Sequence, residues 1–203
     1  MSQELSDKIV LLGDSLTEYW NWEKLLPPFK IVNQGIGGDT SMGIFSRVNY
    51  AANLSPLVIS LQVGINDLSQ GLDPAKIADN HLAIWLSINE KTPDTHLIVS
   101  SLMPISRAKL EWSSNNLTNE RVRQTNRFLK ANFQNVREGL TGYRFANGIS
   151  WLDLYELTAD PAGELPDHLT EDGVHLTRAA YLIWTETLKN HLKVIIPKLK
   201  KAT

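Results

Sequence analysis

Lys8 to Glu18 reads KIVLLGDSLTE: an apolar run of strand length, Ile9 to Leu12, then Gly13-Asp14-Ser15, then residues that favour helix. That order predicts a strand turning abruptly into a helix. A serine at the tip of such a turn exposes its hydroxyl and carries its backbone N–H at a helix N-terminus, where negative charge is favoured. Ser15 therefore has two readings, a nucleophile or simply the cap of the helix that follows. Gly-Asp-Ser alone does not choose between them, and the choice rests on what lies downstream.

Outward from this turn, short apolar runs alternate with longer segments of helical spacing. Glu18 to Leu26 predicts a short helix stopped by Pro27-Pro28, and Phe29 to Asn33 a second strand running into the loop Gly35-Ile36-Gly37-Gly38-Asp39. Thr40 to Asn53 carries Met42, Phe45, Val48 and Ala52 on one helical face. Leu57 to Val63 is β-branched and nearly continuous in apolar residues, the pattern of a buried strand, and it enters the loop Gly64-Ile65-Asn66-Asp67. Pro74 opens a helix to about Asn89, with Ile77, Ala78, His81, Leu82, Trp85 and Ile88 on one face.

Leu97 to Leu102 predicts a fourth strand, and Ile105 to Asn116, which has no periodicity, a loop over a surface. Thr118 to Phe133 predicts a helix with Val122, Phe128 and Leu129 inward, and Ile149 to Leu154 a fifth strand. Asp160 to Gly173, dense in Pro, Gly and Asp, is a loop, and Thr177 to about Ile196 a final helix with Leu188, Leu192 and Ile195 on one face. Five alternations of strand and helix imply an α/β domain spanning 1–203, a five-stranded parallel sheet with helices on both faces. Ligands of such sheets bind outside the carboxyl ends of the strands, where the turns after the first three strands and the loop before the last helix converge.

Composition narrows the chemistry. Twenty basic and 22 acidic residues leave a net charge of -2, with no basic block of the kind that grips nucleic acid. The absence of cysteine excludes disulfides and thiolate catalysis. No apolar run approaches the ~20 residues of a membrane span, and MSQELSDK is polar and acidic where a secretory signal is basic and then apolar. A cytoplasmic protein without stable membrane insertion is the expectation. The histidines are scattered without metal-ligand spacing, and the third glycine of a dinucleotide-binding GxGxxG would fall at Thr40, so neither metal nor cofactor is expected.

Acyl transfer by a serine needs a base, a group that holds the base in the right tautomer, and donors for the oxyanion. Asp172-Gly173-Val174-His175 offers orienter and base three residues apart at the mouth of the last helix. His168, preceded by Asp167, competes, but an adjacent Asp tends to point away from it. His81, on an apolar helical face, reads as structural, and His96 and His191 as structural or solvated. Gly37-Gly38 allows close backbone approach and an exposed N–H, and Asn66 brings a side-chain amide. Found singly, these would read as a tight turn and an Asx-turn.

Four blocks in this order, Gly13-Asp14-Ser15-Leu16, Asn33-Gln34-Gly35-Ile36-Gly37-Gly38-Asp39, Gly64-Ile65-Asn66-Asp67 and Asp172-Gly173-Val174-His175, cover nearly the whole chain. In them the sequence resembles the GDSL or SGNH hydrolases, and the second block is similar to the branch that holds the platelet-activating-factor acetylhydrolase catalytic subunits and several bacterial acylesterases. The resemblance implies a three-layer, flavodoxin-like α/β/α fold. It implies Ser15 as nucleophile, His175 as base, Asp172 as its orienter, and an oxyanion hole of the Ser15 and Gly38 N–H groups and the Asn66 side chain. It also implies a small-molecule ester substrate, an acylated sugar or lipid of short to medium chain, hydrolysed through an acyl-enzyme. Thioesterase or long-chain lysophospholipase activity, or a silent binding module of the same fold, are the alternatives. Trp20 and Ile65 flank the blocks as candidate substrate contacts. The GxSxG elbow of α/β-hydrolases is absent, since no second glycine follows Ser15.

Overall fold

The computed structural model describes residues 6–112 and 114–202. Among these residues, five strands, β1 (Ser6–Gly13), β2 (Lys30–Gly35), β3 (Pro56–Gln62), β4 (His96–Ser100) and β5 (Ile149–Leu152), form one sheet in the order β2-β1-β3-β4-β5. All four pairings are parallel, with Leu12 opposite Gln34 on one side and Leu61 on the other. This is the flavodoxin-like doubly wound order, whose direction of winding reverses between β1 and β3 and opens a crevice there. Ser15 follows β1 directly, so the fold places it at that switch point.

Among the described residues, eight α-helices accompany the strands: α1 (Ser15–Glu18), α2 (Trp22–Leu25), α3 (Ser41–Ala52), α4 (Ile65–Ser69), α5 (Pro74–Lys91), α6 (Asn119–Arg137), α7 (Leu154–Thr158) and α8 (Arg178–Ala202). Alternate strand residues face opposite sides. Ile9, Leu11, Val58 and Ile98 pack against α1, α2 and α8 through Leu16, Trp22, Trp184 and Leu188. Val10, Leu12, Ile59, Leu61 and Val99 pack against α3, α5 and α6 through Ile44, Val48, Trp85, Ile88 and Leu129. The result is three layers with the sheet in the middle, as the alternation predicts. Among the described residues, no helix is long and apolar enough to cross a membrane.

Several elements differ from expectation. Of the helix predicted over Glu18–Leu26 only the single turn Trp22–Leu25 forms, capped by Asn21, which accepts from Lys24 N, while a separate turn, Ser15–Glu18, ends where the predicted helix begins. The loop at Gly64 is mostly the short helix α4, and α7 follows a shorter β5. On α3 the buried face is Ser41, Ile44, Val48, Ala51 and Ala52, while Met42 and Phe45 are exposed. On α6, Phe128 is exposed and Thr125, Phe133 and Val136 turn inward beside Val122 and Leu129. Each helix has apolar residues on two faces, and the neighbouring sheet and helices select one. The last helix continues through Pro197, which removes one ladder hydrogen bond, because Leu199 beyond it is buried in the core.

Candidate active site

β1 ends at Gly13, where a Cβ would lie 2.2 Å from Thr17 Oγ1 and 2.4 Å from the Gln62 carbonyl oxygen, so only glycine permits the close turn. The cap of α1 is Asp14, not Ser15: Asp14 Oδ1 accepts from Leu16 N at 3.0 Å. Ser15, freed from capping, lies with Oγ 3.1 Å from His175 Nε2. His175 Nδ1 is 2.7 Å from Asp172 Oδ2. A carboxylate can only accept, so Nδ1 carries the proton and Nε2 is left to accept from Ser15.

The loop before α8 is built to hold this pair. Asp172 Oδ1 accepts from the backbone N–H groups of Val174 (2.9 Å) and His175 (2.7 Å). Thr170 Oγ1 accepts from Gly173 N and donates to the His175 carbonyl. Burial by itself would raise the Asp172 carboxyl, but the His175 and Val174 N–H groups and the His175 imidazole overcome it and bring it down to about 2. Asp172 is therefore ionised wherever an imidazole can work as a base.

The Gly-rich loop after β2 lies beside Ser15: a Cβ on Gly37 would sit 4.0 Å from Ser15 Cβ. Gly37 N donates to Glu18 Oε2 at 2.7 Å, so its N–H is occupied. Gly38, with φ +77°, has open space where a Cβ would stand. Asn66 occupies the first turn of α4 and donates Nδ2 to the Asp39 carbonyl at 2.9 Å, leaving its second amide hydrogen. It is not an Asx-turn former, because the α4 cap is Gly64 and uses no side chain.

The two candidate substrate contacts, Trp20 and Ile65, both make packing contacts. Trp20 stacks on Tyr181 at 4.5 Å and donates to Thr185 Oγ1, so it packs on α8. Ile65 is buried in an apolar cluster with Leu68, Ile77 and Leu102 beneath the site, with no face left for a substrate. The competing pair at Asp167-His168 does not form, since Asp167 Oδ1 accepts from Ser106 Oγ. His81 is structural: its Nε2 meets the Val63 carbonyl at 3.0 Å, and burial lowers it to about 4. His96 and His191 both bond the Ser150 hydroxyl.

The structure adds residues that periodicity could not reveal. Trp112, from the aperiodic segment, donates Nε1 to Asp172 Oδ2 at 3.3 Å, with its ring 5.7 Å from that of His175. Tyr19 sits 5.6 Å from the same imidazole. Backbone bonds from Ser106 N to the Gly173 carbonyl and from Glu111 N to the Asp172 carbonyl tie the segment to the loop that carries Asp172 and His175. Behind the Gly-rich loop, the buried Asp67 carboxylate accepts from Ser41 N and Ser41 Oγ. An aromatic in a segment without periodicity is the hint of Trp112 that the sequence carries.

This geometry can be set beside known proteins. The model of the GDSL-like Lipase/Acylhydrolase family matches residues 11–183. The Homo sapiens platelet-activating factor acetylhydrolase IB subunit alpha1 is 26% identical over 191 residues, covering 89% of this chain and 73% of that protein. A GDSL-like lipase from Bacteroides thetaiotaomicron superposes with a TM-score of 0.76 at 20% identity, covering 97% of this chain and 89% of that one. The lipase/acylhydrolase from Enterococcus faecalis gives 0.72 at 18%, covering 92% and 95%. With the family model spanning the four blocks from the end of β1 into α8, this chain belongs to the GDSL-like lipase/acylhydrolase family and is a carboxylic ester hydrolase.

Proposed function

We propose that Ser15, His175 and Asp172 hydrolyse carboxylic esters through an acyl-enzyme. The observation that carries this is the continuous line of contacts, 3.1 Å from Ser15 Oγ to His175 Nε2 and 2.7 Å from Nδ1 to Asp172 Oδ2. Ser15 Oγ attacks the ester carbonyl as its proton passes to Nε2, and Asp172 stabilises the imidazolium through Nδ1–H. The imidazolium returns the proton to the departing alkoxide, so alcohol leaves and the acyl group stays on Ser15. Water then repeats the sequence: its proton goes to Nε2, its oxygen to the acyl carbon, and Ser15 Oγ leaves with the proton. The N–H groups of Ser15 and Gly38 and the free amide hydrogen of Asn66 receive the oxyanion in both halves. That Gly37 N–H is bound to Glu18 supports Gly38 as the loop's donor. The acetylhydrolase relatives support acetyl or other short to medium acyl groups, on a lipid or sugar alcohol, as the substrate class.

A series of p-nitrophenyl esters from acetyl to palmitoyl tests this. Turnover should be highest on the short to medium chains and should fall by about 10^4-fold or more in Ser15→Ala, the scale seen when a triad nucleophile is removed. An organophosphonate should label wild type at Ser15 only. A palmitoyl preference would point to a long-chain lipase or thioesterase. Labelling at Ser41 or Ser69, or no turnover of any ester, would sink the reading.

A further inference from the structure

Asp14 immediately precedes Ser15 and is wholly buried. Oδ1 accepts from Leu16 N, while Oδ2 has no hydrogen-bond partner, and among the described residues Asp14 forms no ion pair. Arg47, on α3, is engaged next door: its Nε meets Asp39 Oδ2 at 2.7 Å and a terminal nitrogen meets the Gly13 carbonyl at 3.0 Å. Asp67 on α4 is satisfied by Ser41. Asp14 is thus the carboxyl of this group left without donors enough to hold a charge.

The charged and titratable groups that face it favour the same state. Asp39, on the loop after β2, and Asp67 both set negative charge against it, with Arg47 behind Asp39. From α8 comes the buried phenol of Tyr181, pushed up by burial and then by Asp14 itself. His81, on α5 near Asp67, is held neutral by burial. Burial pushes the Asp14 carboxyl up from 3.8 to about 7 against the pull of the Leu16 N–H, and Asp67 and Asp39 push the same way. An ionised carboxylate with so few donors is costly to bury and keeps its proton instead. Among the described residues, no three His, Cys, Asp or Glu are arranged to hold a metal, so a cation cage does not account for the crowding.

We propose that Asp14 is a proton-holding positioning residue for the reaction: uncharged, it lets negative charge build on the substrate oxygen beside Ser15, and once ionised it opposes that charge and turnover falls. The inference rests on Ser15 being the nucleophile. The ester is neutral in the ground state, so a charge on Asp14 acts chiefly in the transition state and lowers kcat while leaving KM nearly unchanged. Ionisation releases one proton to solvent, and no bond to the substrate is involved.

The experiment is the pH profile of kcat on p-nitrophenyl acetate from pH 5 to 9, corrected for buffer hydrolysis. In wild type, kcat should fall about tenfold or more on the alkaline side, a loss of ~1.4 kcal/mol or more. Asp14→Asn keeps Oδ1 for Leu16 N but cannot ionise, and its kcat should stay level to pH 9. Asp67→Asn removes a neighbouring like charge, so Asp14 should ionise more easily and the alkaline fall should move to lower pH. A purely structural role for Asp14 would scale the profile without changing its shape. A wild-type kcat that stays level to pH 9 overturns the proposal without any variant, as does an Asp14→Asn profile with the wild-type fall. Ser15-dependent turnover with a level profile defeats only the role of Asp14, whereas absence of turnover defeats the functional reading beneath it.

Discussion

Asn66 spends one amide hydrogen on the Asp39 carbonyl, and its other is the one proposed to meet the forming oxyanion. Asn66→Ala should lower kcat by about 100- to 1,000-fold, or roughly 2.7 to 4 kcal/mol, with KM nearly constant because the donor matters most in the transition state. Asn66→Asp should be worse. Its carboxylate would face both the oxyanion and the Asp39 carbonyl, to which it could donate nothing. Steady-state kinetics on the two variants checks the order, and near-wild-type turnover in Asn66→Asp would remove Asn66 from the oxyanion hole. At this scale the sequence singled out Ser15 because Gly13-Asp14-Ser15 ends an apolar run, and Asp172 and His175 because they stand three residues apart in one loop. The 3.1 Å between Ser15 Oγ and His175 Nε2, in contrast, joins ends of the chain that no local spacing relates. Nor did the sequence show the packing partners of Trp20 on α8 or of Ile65 on α5, because those come from other elements.

Asp67 docks the start of α3 onto α4. It accepts from Ser41 N and Ser41 Oγ, and Asn80 of α5 donates to the same hydroxyl at 2.9 Å. Removing the carboxylate in Asp67→Ala would leave both Ser41 donors buried without a partner, at about 1 to 3 kcal/mol for each unsatisfied group. Chemical denaturation should show a loss of about 2 to 6 kcal/mol, and Asp67→Asn, which retains one acceptor, a smaller one. Equal stability of Asp67→Ala and wild type would show that the contact contributes nothing net. Elements were legible wherever an apolar run met a Gly, Pro or Asp boundary, as at β1, β3 and α5. The faces of α3 and α6 were not, since Met42 and Phe45 compete with Ile44 and Val48 on equal terms until a neighbouring layer chooses.

The molecule as a whole is held by α8 against one face of the sheet and by α3, α5 and α6 against the other. Leu188 is fully buried on the inner face of α8, whereas Leu182, on the same helix, is 43% exposed. Leu188→Ala should destabilise by about 2 to 5 kcal/mol, and Leu182→Ala by no more than ~0.5 kcal/mol. At roughly 2 to 4 °C of Tm per kcal/mol for a domain of this size, calorimetry should separate them clearly. Equal losses would mean that α8 is not packed as described.

By itself the sequence determined the alternation of strand and helix, the parallel sheet and the four blocks at its carboxyl edge. These depend on local periodicity and turn chemistry, and each residue contributes through its own few neighbours. Tertiary structure alone decided what surrounds those blocks. Trp112 reaches Asp172 because a segment without periodicity is tied down by backbone bonds from Ser106 and Glu111. Glu18 takes the N–H of Gly37, a contact from a neighbouring element that the Gly37-Gly38 pair does not carry in its own sequence. Asp14 reads from the sequence as an ordinary charged turn residue. It becomes a buried carboxyl without a cation because β1, α4 and α8 close over it and Arg47 is already held by Asp39. Burial and partnership are sums over residues distant in the chain, and a linear pattern does not carry them.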